Sequence, residues 1–218
     1  VAAPGRRAAP TPMVKDGYWY GLPLLLIAAG LLALHLYVPS AVFLVLTLFV
    51  LNFFRDPERE IPQDPDAITS PADGKVVQVV DETYLGRPVK RLSIFMSPLD
   101  VHVNRAPIAG TLTDVAYQRG SFLVASGDRA SVENEQNIYT IQGNQGTVVS
   151  KQIAGALARR IVFWKRPGDR LERGERVGLI KFGSRVDVIV DQGTEWRVKS
   201  GDRVRAGSSI LAITKRQP

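Results

Sequence analysis

"GDRLERGERVGLI" (168–180) and "GDRVRAGSSILAI" (201–213) are one phrase written twice, 33 residues apart. Identical residues stand at Gly168/Gly201, Asp169/Asp202, Arg170/Arg203, Gly174/Gly207 and Ile180/Ile213. Gly-Asp makes a tight turn, and the second glycine makes another before the next apolar run. Strand–turn–strand units of this kind occur in the barrel-sandwich folds of biotinyl and lipoyl carriers. "SPADGKVVQV" (70–79) has the same character. Two copies are too few for a solenoid, so the echo points to a closed β architecture.

The chain around the echo agrees. From residue 55 on, Pro and Gly recur between short Val/Ile-rich runs: "GKVVQVV", "RLSIFM", "TLTDVAY", "IYTIQ", "GTVVSKQI", "RIVFWK", "VDVIV" and "WRVKS". Such spacing predicts strands. Only "QIAGALARR" (152–160) suggests a helical turn. Residues 55–218 therefore read as one mainly β domain, barrel-like or sandwich-hybrid-like, with few short helices.

The N-terminal quarter is different. Residues 1–16 are Ala/Pro/Arg-rich and read as disordered. Residues 17–54 hold no Lys, Arg, Asp or Glu. A membrane-crossing helix needs about 20 apolar residues, so this run is too long for one helix. Pro39-Ser40 is expected to split it into segments near 18–37 and 40–54, a transmembrane helical hairpin. Tyr18, Trp19, Tyr20, Phe53 and Phe54 mark the interfaces, and His35 lies near the turn. Lys15 precedes the run, while Arg55 and Arg59 follow it. By the positive-inside rule both ends lie on the cytoplasmic side of the cell (inner) membrane.

Composition closes several routes. There is no cysteine, which excludes disulfides, thiolate zinc sites and Cys nucleophiles. The two histidines, His35 and His102, come with no carboxylate spacing that would complete a metal site, so no metal is expected. The net charge of +7 suits an anionic membrane surface. The basic residues are scattered and no aromatic-rich RNA motif is present, so nucleic acid is not an expected partner.

Four places could carry chemistry. Gly183-Ser184 stands at the mouth of the "VDVIV" strand. Alone, Gly-Ser is a common turn. In a twisted peptide, however, a deprotonated Ser184 hydroxyl can attack the Gly183 carbonyl and turn the amide into an ester. Elimination then cuts the chain and leaves dehydroalanine, and hydrolysis converts that to a pyruvoyl cap, an electron sink. Glycine at 183 permits the strained backbone. In "FMSPLDVHVNRAP" (95–107), His102 is the leading general acid–base candidate. Alternation is expected to put Asp100, His102 and Asn104 on one polar strand face. Asp73, in "SPADGKV", is a candidate carboxylate to orient the imidazole. In "SVENEQN" (131–137), Asn134 and Glu135 could bind a polar head group; as a solvated loop the segment needs no function.

Taken together, "PADGKV", "MSPLDVHVNRAP", "GSF" (120–122), "ENEQN" and "FGSRVDV" resemble the phosphatidylserine decarboxylase proenzymes of the short, membrane-anchored type. The resemblance implies self-cleavage at Gly183-Ser184 into a β chain (1–183) and an α chain (184–218). Ser184 then becomes the pyruvoyl cofactor, which decarboxylates phosphatidylserine to phosphatidylethanolamine. His102 matches the "SPxDxH" motif and Asp73 the "ADG" motif. Many longer members carry a second histidine three positions after the first. Here that position is Arg105, a further candidate for substrate binding, so either His102 serves both steps or another group activates Ser184. Relatives suggest a homodimer. Two other readings stand beside this one: a decarboxylase of archaetidylserine-type lipids, and a non-enzymatic membrane-anchored barrel-sandwich carrier or adaptor, which needs a modifiable lysine at an exposed hairpin tip, whereas Lys181 adjoins a strand and lacks flanking methionine.

Overall fold

The computed structural model describes residues 12–121, 134–155, 160–181 and 184–214. It divides at the Glu58–Arg59 junction into two compact units.

Among the described residues the first unit is a pair of helices, α1 (Lys15–Ala33) and α2 (Tyr37–Phe53). Its two ends meet: Val14 N–H donates to Phe54 O (3.1 Å) and Asp56 N–H to Pro12 O (2.8 Å), so the helices run antiparallel. The break falls at Leu34–Leu36, earlier than the proline. His35 takes a left-handed φ of 59°, and the N–H groups of His35 and Leu36 close on Leu32 O and Leu31 O (2.9 Å each). This is a Schellman cap, with histidine where glycine is commonest. Pro39 sits instead in the first turn of α2, where its missing N–H has no helical partner to lose. Small residues let the helices approach: a Cβ on Gly21 would lie 2.8 Å from Leu51 Cδ2, and Ser40 Oγ donates to Ala28 O at 2.8 Å. The outer faces carry exposed Trp19, Leu26, Val38 and Val45. α1 is long and apolar enough to cross a membrane. α2, with 17 residues, reaches about 26 Å, slightly under a hydrocarbon core of roughly 30 Å.

Among the described residues the second unit is built from fourteen strands. They are β1 (Ala67–Thr69), β2 (Gly74–Tyr84), β3 (Arg87–Met96), β4 (Val103–Arg105), β5 (Gly110–Gln118), β6 (Gln136–Gly143), β7 (Gly146–Ala154), β8 (Arg160–Phe163), β9 (Arg170–Leu171), β10 (Arg176–Lys181), β11 (Ser184–Asp191), β12 (Glu195–Trp196), β13 (Arg203–Val204) and β14 (Ile210–Ile213). One eight-stranded sheet runs β13-β2-β3-β11-β7-β6-β5-β9, flanked by three-stranded sheets β1-β14-β12 and β4-β10-β8. The mainly β architecture with an N-terminal helical hairpin is thus present.

The sheet order is a palindrome of like elements. A hairpin with a short outer strand stands at each end, and antiparallel β11 and β7 form the centre. Each hairpin bulges at the same place, between Val76 and Gln78 in β2 and between Leu112 and Asp114 in β5. The echoed phrases make equivalent bonds. Gly201 N–H donates to Val76 O (2.8 Å), and Gly168 N–H to Leu112 O (2.7 Å). Gly207 N–H donates to Ser70 O (2.7 Å), and Gly174 N–H to Ala106 O (2.8 Å). The carboxylates of Asp169 and Asp202 accept from the N–H of Arg166 and Lys199 three residues back (2.8 and 2.9 Å). Gly174 and Gly207 take φ of 78° and 76°, a left-handed turn that a side chain would strain. The repeat in the sequence is therefore a quasi-two-fold of the fold.

The core lies between the sheets, with Leu92, Ile94, Val186, Val188, Tyr139 and Ile141 buried at its centre. Two local expectations change. Gln152–Ala154, read as the start of a helical turn, ends β7, because ladders to β6 and β11 on either side override the Ala-rich local preference. Residues 156–159 of that segment lie outside the described residues. Of "WRVKS", only Trp196 is in a strand.

Candidate active site

Ser184 opens β11, hydrogen-bonded between β3 and β7, with Met96 opposite on one side and Ala154 on the other. The serine is fully buried. Alternation puts it on the face of Val186 and Val188, at the end of the core. Its hydroxyl donates to Met96 Sδ at 3.3 Å. Asn104 Nδ2 lies 3.8 Å from the same sulfur, and Asn104 Oδ1 accepts from Gln152 Nε2 at 2.8 Å. Gln152 Oε1 in turn accepts from Asn137 Nδ2 at 2.9 Å. A relay of neutral dipoles therefore runs through buried side chains to the sulfur that the Ser184 hydroxyl touches. Gly183, the other half of the expected scissile bond, lies outside the described residues.

Asn134 joins this site. It is fully buried, and its Nδ2 donates to Ala154 O at 2.7 Å, on the strand facing Ser184. Glu135 follows it in sequence but faces elsewhere, where its carboxylate accepts from the Tyr117 hydroxyl. Burial, together with that bond, pushes the Tyr117 hydroxyl up to about 12.

His102 is buried just before β4. β4 pairs with β10, Val103 opposite Leu179, and Ile180 N–H donates to His102 O at 3.4 Å. The histidine therefore stands beside the end of the strand that leads toward Ser184. Its Nδ1 lies 2.9 Å from Asp100 O. A carbonyl only accepts, so Nδ1 carries the proton in the neutral ring and Nε2 is the basic nitrogen. The expected single strand face is only partly realised. Asn104 is in β4, but Asp100 is in a turn after Pro98, where its carboxylate accepts from Ser97 N–H at 2.8 Å. A proline start and a self-capping aspartate favour the turn over an extended strand.

Asp73 does not take the place expected for it beside the imidazole ring nitrogen, since that place belongs to the Asp100 carbonyl. Its carboxylate accepts twice from Arg59 Nη2 (2.9 and 2.8 Å) and once from Ala206 N–H (2.7 Å). Its turn touches the His102 segment through the main chain, Arg105 N–H donating to Pro71 O at 2.9 Å. The Arg105 side chain is buried and donates to Gly174 O at 3.1 Å, toward the echoed turns. Lys181 is also buried, at the end of β10, which does not suit a lysine modified at an exposed hairpin tip.

The opposite face of β11 holds a cluster that sequence reading missed. Arg185 is 1% exposed and Asp187 is fully buried. Arg185 Nε donates to Asp187 Oδ1 at 2.6 Å, and its Nη2 to Ser93 Oγ at 2.6 Å and Gln78 Oε1 at 3.2 Å. Arg91 Nη1 shares Ser93 Oγ (2.6 Å) and Gln78 Oε1 (2.9 Å), and its Nε donates to Glu82 (2.8 Å). Lys151 stands nearby, and burial pulls its ammonium below the usual lysine range. The signal was present as Arg and Asp two apart in "SRVDV", which puts both on one strand face. Asn137 and Gln152, polar residues inside apolar strands, were a similar clue to the relay.

Residues 46–212 match the phosphatidylserine decarboxylase family model. A "phosphatidylserine decarboxylase proenzyme" of Solibacter usitatus is 54% identical over 202 residues, covering 92% of this chain and 96% of the relative. Proenzymes of the same name from Geotalea uraniireducens and Burkholderia multivorans are 44% and 47% identical, over 93% and 78% of this chain and 97% and 81% of theirs.

Proposed function

The chain belongs to the phosphatidylserine decarboxylase family, a family of carboxy-lyases, and from that premise we propose that it cuts its own backbone at Gly183-Ser184 and then decarboxylates phosphatidylserine to phosphatidylethanolamine. The observation that carries the reading is Ser184 itself: a hydroxyl fully buried at the head of the central strand, beside the strand pair that holds His102.

The residues present fit a pyruvoyl group at position 184. A ketone there needs exclusion of water and a neighbouring amide donor. Ser184 is sealed from solvent, and the Asn104 amide approaches the sulfur that its hydroxyl contacts. Such a group supplies an electron sink for the pair left behind when carbon dioxide departs.

The remaining work falls to ordinary side chains. Ser184 Oγ forms the new bond to the Gly183 carbonyl carbon, and the amide nitrogen leaves it. The ester then breaks by loss of the residue-184 Cα proton and departure of the Gly183 carboxylate from Cβ; one water is taken up by the dehydroalanine left behind, and its amino nitrogen leaves as ammonia. His102 Nε2, the ring nitrogen left as acceptor in the neutral tautomer when Nδ1–H donates to the Asp100 carbonyl, is the group suited to take a proton and return it to the substrate carbon. Asn134 keeps the β7 end in place opposite residue 184. Asp73, through Arg59 and Ala206, steadies the turn that underlies the His102 segment. The helical hairpin holds the enzyme at the bilayer, with the end that bears Lys15 and Arg55 on the cytoplasmic face of the cell membrane.

Two variants test this. On a denaturing gel or by intact mass, the purified chain should yield a fragment of 35 residues, 184–218. Ser184→Ala should abolish both fragment and turnover. His102→Ala should lower decarboxylation by roughly 10²–10⁴-fold. Active protein in one unbroken chain would refute the self-cutting step, and near-normal turnover of His102→Ala would remove the histidine from the site.

A further inference from the structure

Cutting the chain before residue 184 creates a problem that an intact strand does not have. The reactive residue becomes a chain end, and chain ends fray unless tied down. We propose that Arg185 is the tie: a positioning residue whose guanidinium holds the newly cut end of β11 in register, so that residue 184 stays where the serine was. This rests on the self-cleavage reading above.

The geometry is specific. Arg185 and Ser184 point to opposite faces of β11, so the guanidinium stays clear of the reacting atoms. Its bonds to Ser93 and Gln78 reach β3 and β2, both in the larger fragment, and bind one product chain to the other. Asp187, two residues along the same strand, accepts from Nε at 2.6 Å and neutralises the charge. Arg91 grips the same Ser93 hydroxyl and Gln78 carbonyl, which fixes the acceptors in place. A buried guanidinium is costly to desolvate, and a valine would serve a purely packing role better. Arginine instead offers several directed bonds one residue from the break.

The test separates a tie needed after cleavage from a merely structural contact. Backbone hydrogen exchange at residues 186–188 is measured in full-length protein in detergent for wild type, Arg185→Ala, Ser184→Ala and the double variant. In the two uncut proteins Arg185→Ala unpairs the buried Asp187 carboxylate, and exchange should quicken only by the stability the whole domain loses. In the two cut proteins Arg185→Ala should speed exchange roughly tenfold more than it does in the uncut pair. Its kcat should fall by a similar factor with KM unchanged, and Arg185→Lys, which keeps one cation for Asp187, should recover part of the loss.

Equal loosening in cut and uncut pairs would overturn the proposal, as would a cut Arg185→Ala protein with wild-type exchange and kcat. A folded Arg185→Ala that never cuts would also overturn it, because the residue would then act before the bond breaks. If Arg185→Ala does not fold, Ser93→Ala is read in the same four-way comparison, with the same expected and overturning results on a smaller scale. Wild-type protein that stays uncut would sink the self-cleavage reading itself, a result visible on the gel before any exchange is measured.

Discussion

Replacing Gln152 by leucine tests whether the buried amide relay beneath Ser184 is a working part of the fold. Gln152 bridges Asn137 and Asn104 through bonds of 2.9 and 2.8 Å, and all three side chains are buried. Leucine is close in size but removes both bonds at once, leaving Asn137 Nδ2 and Asn104 Oδ1 without that partner. Each orphaned buried group costs about 1–3 kcal/mol. The added apolar surface returns about 1 kcal/mol, since much of the glutamine stem is already buried. The net expectation is a loss of about 1–5 kcal/mol. The measurement is denaturant unfolding in detergent on the Ser184→Ala background, where a single uncut chain keeps the transition unimolecular. The Asn137→Leu/Gln152→Leu double variant should lose less than the sum of its singles, because two orphans, Asn137 Nδ2 and Gln152 Oε1, disappear with their own residues. The same Gln152→Leu change, with Ser184 intact, should slow appearance of the 35-residue fragment. A variant within about 0.5 kcal/mol of its parent, with additive doubles, would refute the relay.

Three further outcomes follow from the structure. Asp73→Ala strips the acceptor from Arg59 and from Ala206 N–H; with side chains only 9% and 13% exposed, the pair's loss should cost about 2–4 kcal/mol in the same unfolding assay, and Asp73→Asn should recover part of it. Tyr117 should make stability fall in alkali. Its folded-state pKa of about 12 lies above the ordinary 10, so the neutral phenol's contribution is full below pH 10 and is lost as pH rises through about 12; Tyr117→Phe should flatten the fall in that window, and an unchanged profile would count against the Tyr117–Glu135 contact. After cleavage the fragments should co-elute on native size exclusion, because β11 lies between β3 and β7, β14 pairs with β1, and β13 with β2; loss of the small fragment without denaturant would contradict this.

How much of the site could be read in advance varied with the distance of the contact. His102 announced itself by chemical rarity, in a chain with two histidines, whereas Gly-Ser recurs at 120–121 and 207–208, so Ser184 was picked out by its place at the mouth of the "VDVIV" strand and by the "FGSRVDV" motif. Asn134 stood out in an amide-rich stretch, and its burial against Ala154 brings it to the serine. Asp73 and the imidazole went differently. Which acceptor meets Nδ1 depends on how the turn at Ser97–Asp100 folds back, and Asp100 offers its carbonyl before any distant carboxylate can compete. Glu135 and Arg105 sat in suggestive motifs, yet one bonds Tyr117 and the other bonds Gly174 O. The early hairpin break has the same local character: Pro39 fits a helix's first turn, so the stop moves to His35, whose left-handed cap is written in no strong residue code.

The residues alone settled what depends on period and composition: strands from alternation, turns from the echoed Gly-Asp and Gly pairs, an apolar hairpin from an uncharged run, and the absence of thiol chemistry. These are short-range properties, and neighbouring residues carry them. The palindromic sheet, the amide relay and the guanidinium cluster behind Ser184 came only with folding. Each joins residues from strands far apart in the chain, and hydrogen-bond geometry between such partners follows from register and twist, which no local pattern encodes.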